Sequence, residues 1–260
     1  CWAMLILWAY VLIRRFTLPT DLRIWGAFLV MGLLNNVIPF SLMAWGQLHI
    51  ETGLTSILNA ATAIFGVIAA AIFFADERLT ARKVVGVTLG FIGVSTALGL
   101  AAFKDFDIRS LGQLAVISGT ISYALAGVWA RKKLGHLKPQ VAAAGMLTGA
   151  SIMTLPAAWL VEGPITLSLQ PQTWAAIAYY AVIATAVAYM LYYRVLAMAG
   201  SGNLMLCTLL VAPVAIILGA AVLGEALPLR AYIGFAVLAL GLVILDGRLF
   251  KAVQHCARST

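Results

Sequence analysis

Residues 58–75 carry no charge, and the next eight, 76–83, hold five: Asp76, Glu77, Arg78, Arg82 and Lys83. A surface helix in water alternates apolar and polar residues with a period near 3.6. An uncharged run of this length, closed by a burst of charge, suits a helix that crosses lipid and turns at a wet boundary. The same alternation recurs along the chain. Stretches free of Asp, Glu, Lys and Arg cover 24–50, 52–75, 84–103, 110–130, 139–161, 163–193, 195–224 and 231–245. Each can hold one helix, and about 20 residues cross the hydrocarbon core; 231–245, at 15, is the shortest of these runs. Residues 1–13 form a shorter run ending in Arg14 and Arg15, and read as the second half of a helix that begins before Cys1. No basic segment precedes this run and no cleavage-like ending follows it, which disfavours a signal peptide.

Composition agrees. Hydrophobic residues make up 63% of 260, charged residues 10%, and the mean hydropathy is +1.02. A water-soluble domain of this size needs far more polar surface. The expected fold class is therefore an all-α integral membrane protein with about nine spans present. The net charge of +8 is spread between apolar runs and forms no continuous patch, so nucleic acid is not an expected partner. Cys1, Cys207 and Cys256 lie far apart, with no CxxC and no nearby histidine, so neither a metal site nor a disulfide framework is expected.

Numbering the loops alternately places 14 Lys and Arg on one side and 3 (Lys104, Arg109 and Arg230) on the other. The richer side is expected to be cytoplasmic, which puts the C-terminus inside. In a bacterium this would be a multi-pass protein of the inner membrane.

An internal repeat also shows. ADERLTARKVVGVTLGFIGV (75–94) is similar to GEALPLRAYIGFAVLALGLV (224–243), with residues paired at an offset of 148 from Asp76 and Gly224 onward. Glu77 then matches Glu225, Leu79 matches Leu227, Gly86 matches Gly234 and Gly93 matches Gly241. The loop count sets these junctions on opposite faces, the pattern of inverted repeats in secondary transporters. The expected division is 1–103 for the first repeat, 110–247 for the second and 248–260 for a basic cytoplasmic tail. Glu77 and Glu225 sit at water-exposed elbows and read as structural groups that accept hydrogen bonds from a helix N-terminus. The spacings Gly86 to Gly90 and Gly145 to Gly149 are those of close helix packing, with sliding between the halves as a second role.

Four segments carry a family resemblance: WGQLHIETGLTSILNAATAIF (45–65), DERLTARKVVGVTLGFIGV (76–94), YRVLAMAGSGNLMLCTLLVAPV (193–214) and LGEALPLRAYIGFAVLALGLVIL (223–245). The chain resembles the drug/metabolite transporter superfamily, EamA type. The resemblance implies ten helices in two inverted five-helix repeats, with one further helix before Cys1. It also implies transport, and the pattern is most similar to bacterial exporters of amino acids, aromatic ones included. One departure is visible: members commonly have Pro in the fourth helix, where this chain has Ala63, whereas the second half keeps Pro213.

The residues themselves point to neutral chemistry. All nine acidic residues fall at span ends or in loops, so proton coupling through a buried acid is disfavoured. No Walker-type GxxxxGK[ST], HExxH or GxSxG occurs, so neither ATP hydrolysis nor a hydrolase site is expected in this chain, and no cofactor or catalytic residue is named. What remains at mid-depth is amide, hydroxyl and aromatic surface. The expected substrate-binding residues are Asn36, Phe40, Asn59, Thr62, Tyr123 and Tyr189. Asn36 and Phe40 are four apart on one helical face, beside a carbonyl that Pro39 leaves without its helical donor. Two readings fit Asn36: a cavity wall, or a pair across a helix interface. Asn59 and Thr62 share a face one turn apart. Trp129, Tyr192 and Tyr193 adjoin Arg131 or Arg194 and read as interfacial belt residues. A neutral, aromatic-lined central cavity would hold an apolar or aromatic side chain by burial and stacking. The expected function is secondary export of small metabolites by alternating access. A channel or a non-transport membrane scaffold is the alternative. The partners are a small-molecule substrate and the lipid bilayer.

Overall fold

The computed structural model describes residues 1–107, 110–163, 169–223 and 228–246. Glu225 and the 248–260 tail lie outside the described residues. Those residues form helices α1 (Trp2–Ile13), α2 (Leu22–Gly32), α3 (Ile38–Gln47), α4 (Thr52–Ala60), α5 (Thr62–Phe73), α6 (Ala81–Leu98), α7 (Leu111–Trp129), α8 (Pro139–Glu162), α9 (Pro171–Ala181), α10 (Ala188–Met205), α11 (Thr208–Leu223) and α12 (Leu229–Asp246). No strand occurs among them. π-helical turns at Leu33–Val37 and Val182–Val187 join α2 to α3 and α9 to α10, and a third, Ala130–Leu134, extends α7. Among the described residues, six helical segments are long and apolar enough to cross a membrane: Leu22–Gln47, Thr52–Phe73, Ala81–Leu98, Leu111–Leu134, Pro139–Val161 and Pro171–Met205. Three shorter apolar helices, Trp2–Ile13, Thr208–Val222 and Leu229–Leu245, accompany them. The protein is a multi-pass membrane protein.

The chain divides into two compact units, residues 1–40 with 125–200 and residues 41–124 with 201–260. Each unit takes residues from both sides of the 103/110 junction.

In the first unit α8 packs along α1 and α2. Small residues decide how closely. A side-chain carbon at Gly149 would lie 2.5 Å from the Phe28 carbonyl, and one at Gly32 would lie 2.4 Å from the Ala150 amide. At Gly145 it would enter the Phe28 ring. Phe28, Met31 and Met146 are fully buried as a result. Indole groups tie the helices further. Trp8 Nε1 donates to Thr148 Oγ1 at 2.8 Å, and Trp129 Nε1 donates to the Ala27 carbonyl at 3.1 Å. Trp129 therefore bonds inward, although Lys133 also lies over its ring.

In the second unit the central seam is α6 against α12. Gly86 meets the Gly241 carbonyl and Gly93 meets the Gly234 carbonyl, so the two helices run antiparallel with their backbones in contact. At the 148 offset Gly86 corresponds to Gly234 and Gly93 to Gly241. Each glycine thus touches the counterpart of the other, the reciprocity that a twofold relation gives an interface. At 18 residues, α6 is about 27 Å long, close to the hydrocarbon thickness. Thr80 starts it, its Oγ1 accepting from Lys83 N at 3.3 Å. Ala63, Val67, Val87, Val94, Leu209 and Leu238 pack as one core beside the seam.

Charge and helix boundaries do not always coincide. α10 continues through Arg194, where charge alone would end the span, and kinks at Gly200 with φ 82° and ψ 174°. That conformation is open to glycine and to almost nothing else. It exposes the amides of Ser201 and Gly202 as the start of a new turn, and Glu77 takes them. Its Oε1 accepts from Ser201 N at 2.8 Å and from Ser201 Oγ at 3.2 Å, and its Oε2 accepts from Gly202 N at 2.8 Å. Glu77 is 6% exposed. The structural role read for Glu77 in the sequence is this contact. The elbow is not uniformly wet: Asp76 and Arg78 face out while Glu77 turns in.

Candidate functional site

Helix irregularity is where polar side chains collect. In the first unit, the widened turn Leu33–Val37 carries Asn35 and Asn36, and Pro39 follows without an N–H to return to Asn35. π-turns inside helices often sit at functional positions. Asn35 is 2% exposed and Asn36 is 5% exposed. Tyr189 enters two residues after the other widened turn, Val182–Val187. Asn35 Nδ2 donates to Tyr189 OH at 3.3 Å and contacts Met146 Sδ at 3.5 Å. Tyr189 OH donates to Asn36 Oδ1. With Oδ1 so engaged, Asn36 Nδ2 is left buried with no hydrogen-bond partner. This chain fixes which end of the Asn36 amide is the unmet donor.

Phe40 lies apart from this cluster, more than half exposed, so Asn36 and Phe40 do not occupy one buried face. The π-turn between them accounts for the difference, because it adds a residue to the turn and shifts the register that a regular helix would give.

In the second unit the polar groups sit at a helix break. α4 ends at Ala60 and α5 begins at Thr62, with Ala61 between them as a turn (φ −63°, ψ −13°). The break occurs although this half lacks the helix proline. Asn59 and Thr62 flank it, and Asn59 Oδ1 and Thr62 Oγ1 are both buried without hydrogen-bond partners. Asn59 borders a cavity of about 120 Å³ lined also by Ser56, Leu98, Thr208 and Ala212. α11 opens that cavity's far wall just after a second irregular turn at Leu206 and Cys207. Tyr123 is half-buried on α7 and is not drawn to this cavity.

The structure therefore joins Asn36 to Tyr189 and groups Asn59 with Thr62, and leaves Phe40 and Tyr123 outside both groupings. Sequence reasoning missed Met146, whose sulfur completes the Asn35 environment, because nothing in its local sequence separates it from core methionines. It also set Tyr193 in the membrane belt. Tyr193 is in fact 3% exposed, its hydroxyl enclosed without a hydrogen-bond partner, since the helix continues past Arg194 and carries it inward. Tyr189, Tyr192 and Tyr193 form an edge-to-face ladder with centroids 6.1 and 5.2 Å apart.

A solved crystal structure superposes on the chain with a TM-score of 0.79 at 16% identity, covering 94% of this chain and 85% of that one. At that identity the likeness concerns the fold. Among curated relatives, the chain is 25% identical over 211 residues to a probable terminal-alkyne amino-acid exporter of Streptantibioticus cattleyicolor, 80% of this chain and 68% of that protein. It is 24% identical over 199 residues to an uncharacterized transporter of Archaeoglobus fulgidus, 76% of this chain and 69% of that protein. The model of the EamA-like transporter family matches residues 1–99 and 110–245. The chain belongs to the EamA-like transporter family.

Proposed function

We propose that the protein is a secondary exporter of small zwitterionic metabolites, amino acids with apolar or aromatic side chains foremost, working by alternating access in a bacterial inner membrane. One observation carries the reading: at the irregular turns beside Asn36 and between Asn59 and Thr62, buried polar atoms are left without hydrogen-bond partners, and all three groups are neutral. A buried group left unpaired costs about 1–3 kcal/mol, so such groups are kept where a ligand or water meets them. In the first unit Asn36 Nδ2 is an unmet donor, which suits a carboxylate. In the second the unmet oxygens of Asn59 and Thr62 suit an ammonium. Each unit taken by itself thus offers one kind of contact that a zwitterion can use, and the tyrosines of the first unit offer faces for an aromatic side chain. The amino-acid export named for the Streptantibioticus relative is consistent with this class. The reciprocal Gly86–Gly241 and Gly93–Gly234 contacts support two halves of inverted topology, with a cytoplasmic C-terminus by the Lys and Arg distribution.

The test is efflux from proteoliposomes loaded with labelled Trp, Met or Thr. Protein-dependent efflux should appear for at least one, without ATP. Asn36→Ala and Asn59→Ala should lower it about tenfold, the effect of about 1.4 kcal/mol. Tyr189→Phe should lower it less, because it releases Asn36 without removing it. No flux across a broad amino-acid panel, or unitary currents in planar bilayers, would overturn the assignment.

A further inference from the structure

A second pocket lies in the first unit, lined by none of Asn35, Asn36 and Tyr189, although Tyr193 at the end of the tyrosine ladder walls it. It has a volume of about 250 Å³ and is lined by Arg131, Leu134, Gly135, Leu137, Tyr193 and Leu196, with Ala197 at its edge. We propose that it binds a phosphate group, the headgroup phosphate of an anionic lipid or free inorganic phosphate.

Arg131 is the second residue of the π-turn Ala130–Leu134 that closes α7, so it stands near a helix end. Lys132 and Lys133 follow it, Lys138 precedes α8, and Arg194 succeeds Tyr193. The sequence holds no acidic residue between Asp107 and Glu162, and none between Glu162 and Glu225. Glu162 closes α8, a helix of 24 residues, and so lies about 36 Å from the Pro139 end. Cations dominate these stretches of sequence, and the Glu77 carboxylate at Ser201 and Gly202, four and five residues past Ala197, is taken up by their amides. An arginine fork matches the tetrahedral oxygens of a phosphate better than a lysine point charge does. The second observation is Tyr193. Its ring walls the pocket, its side chain is 3% exposed, and its hydroxyl has no hydrogen-bond partner. A phosphate oxygen seated beside Arg131 would supply the acceptor that this hydroxyl lacks, after a small swing of the ring. The pocket lies at the Lys- and Arg-rich ends of the helices, the level at which an anionic leaflet presents its headgroups.

The assay uses the full chain in nanodiscs. Native mass spectrometry reads the lipid retained from phosphatidylglycerol against phosphatidylcholine. A parallel arm titrates inorganic phosphate into detergent-solubilised protein and follows the melting temperature. Wild type should retain phosphatidylglycerol in preference. Arg131→Gln should weaken retention roughly tenfold, the loss of one charge-assisted hydrogen bond, and Tyr193→Phe should weaken it measurably. The double variant Lys132→Gln/Lys133→Gln keeps the pocket and should retain the preference. A rise in melting temperature with inorganic phosphate, lost in Arg131→Gln and without a lipid preference, identifies the free anion as the ligand. If Arg131→Gln fails to fold by size-exclusion, Tyr193→Phe, which removes one oxygen, decides. No preference and no phosphate response in wild type, or an equal loss in the Lys132/Lys133 variant, overturns the proposal.

Discussion

Removing the Glu77 side chain gives the sharpest test of how the second unit is held together. Its carboxylate accepts two backbone amides at 2.8 Å and one hydroxyl at 3.2 Å, at a position 6% exposed. Glu77→Ala deletes all three bonds and leaves the Ser201 and Gly202 amides buried. Each stranded amide costs about 1–3 kcal/mol, and breaking a buried charged contact costs about 3–5 kcal/mol in total. Glu77→Gln keeps one acceptor oxygen but turns an NH2 toward a donor, for a loss of about 1.5–3 kcal/mol. Ser201→Ala removes only the longest bond, for about 1 kcal/mol. The expected order of stability is wild type, Ser201→Ala, Glu77→Gln, Glu77→Ala. The double variant Glu77→Ala/Ser201→Ala should cost less than the two single losses added, because the shared bond disappears once. Equilibrium unfolding in mixed micelles, followed by tryptophan fluorescence, measures the series. Glu51→Ala is the control, since Glu51 is exposed and its side chain caps nothing. The reasoning fails if Glu77→Ala costs no more than Glu51→Ala, or if the double variant is additive.

Other substitutions probe the remaining contacts. Gly93→Ala would place a carbon 2.5 Å from the Leu238 amide and should destabilise by about 1–3 kcal/mol. Gly26→Ala meets nothing within 4 Å and should shift the same unfolding midpoint by less than about 1 kcal/mol, in the stabilising direction of helix propensity. Gly200→Ala forces a side chain into a backbone conformation that disfavours it, at about 1–3 kcal/mol, and its effect should overlap that of Glu77→Ala because both disturb the Ser201 amide. In a chain stripped of native cysteines, Arg78→Cys and Arg230→Cys should react with an impermeant maleimide from opposite faces. Arg78 lies just before α6 and Arg230 at the start of antiparallel α12, so the two residues lie at opposite ends of the seam.

Much of the fold was legible because lipid imposes so simple a rule. Charges cluster where water begins, and the runs between Arg23, Glu51, the 76–83 elbow and the 131–138 loop match α2 with α3, α4 with α5, α6 and α7. The rule weakens where a charge can reach water from within a helix. Arg194 is exposed while its neighbour Tyr193 is buried, so the charge marked no boundary and the belt reading of Tyr193 failed. Helix interruptions were less legible still. The break at Ala61 and the widened turn at Leu33–Val37 arise from packing, and Ala and Leu carry no local preference for either. Only Gly200 and Pro39 announced a departure by residue type. Asn36 and Tyr189 were recoverable as polar groups at apolar depth. Their hydrogen bond was not, because it depends on two π-turns that no pattern of apolar residues encodes.

The glycine seam also narrows where movement can occur. Sliding was one role open to the Gly86 to Gly90 spacing. In the structure the Gly93 and Gly234 backbones interlock, the Leu238 backbone lies against Gly93, and the Leu245 side chain fills the space left by Gly86. Translating α12 by one residue would drive Ile233 or Phe235 toward a backbone carbonyl that now faces hydrogen. The seam therefore has one register, and α6 and α12 move together. Flexibility must come from points where helices lack continuous i→i−4 bonding: Ala61, Gly200, and the turn at Leu206 and Cys207. Asn59 and Thr62 flank the first of these and Glu77 clamps the second. An alternating-access cycle confined to such joints would change the surroundings of the unmet Asn59 and Thr62 oxygens without opening the core between them.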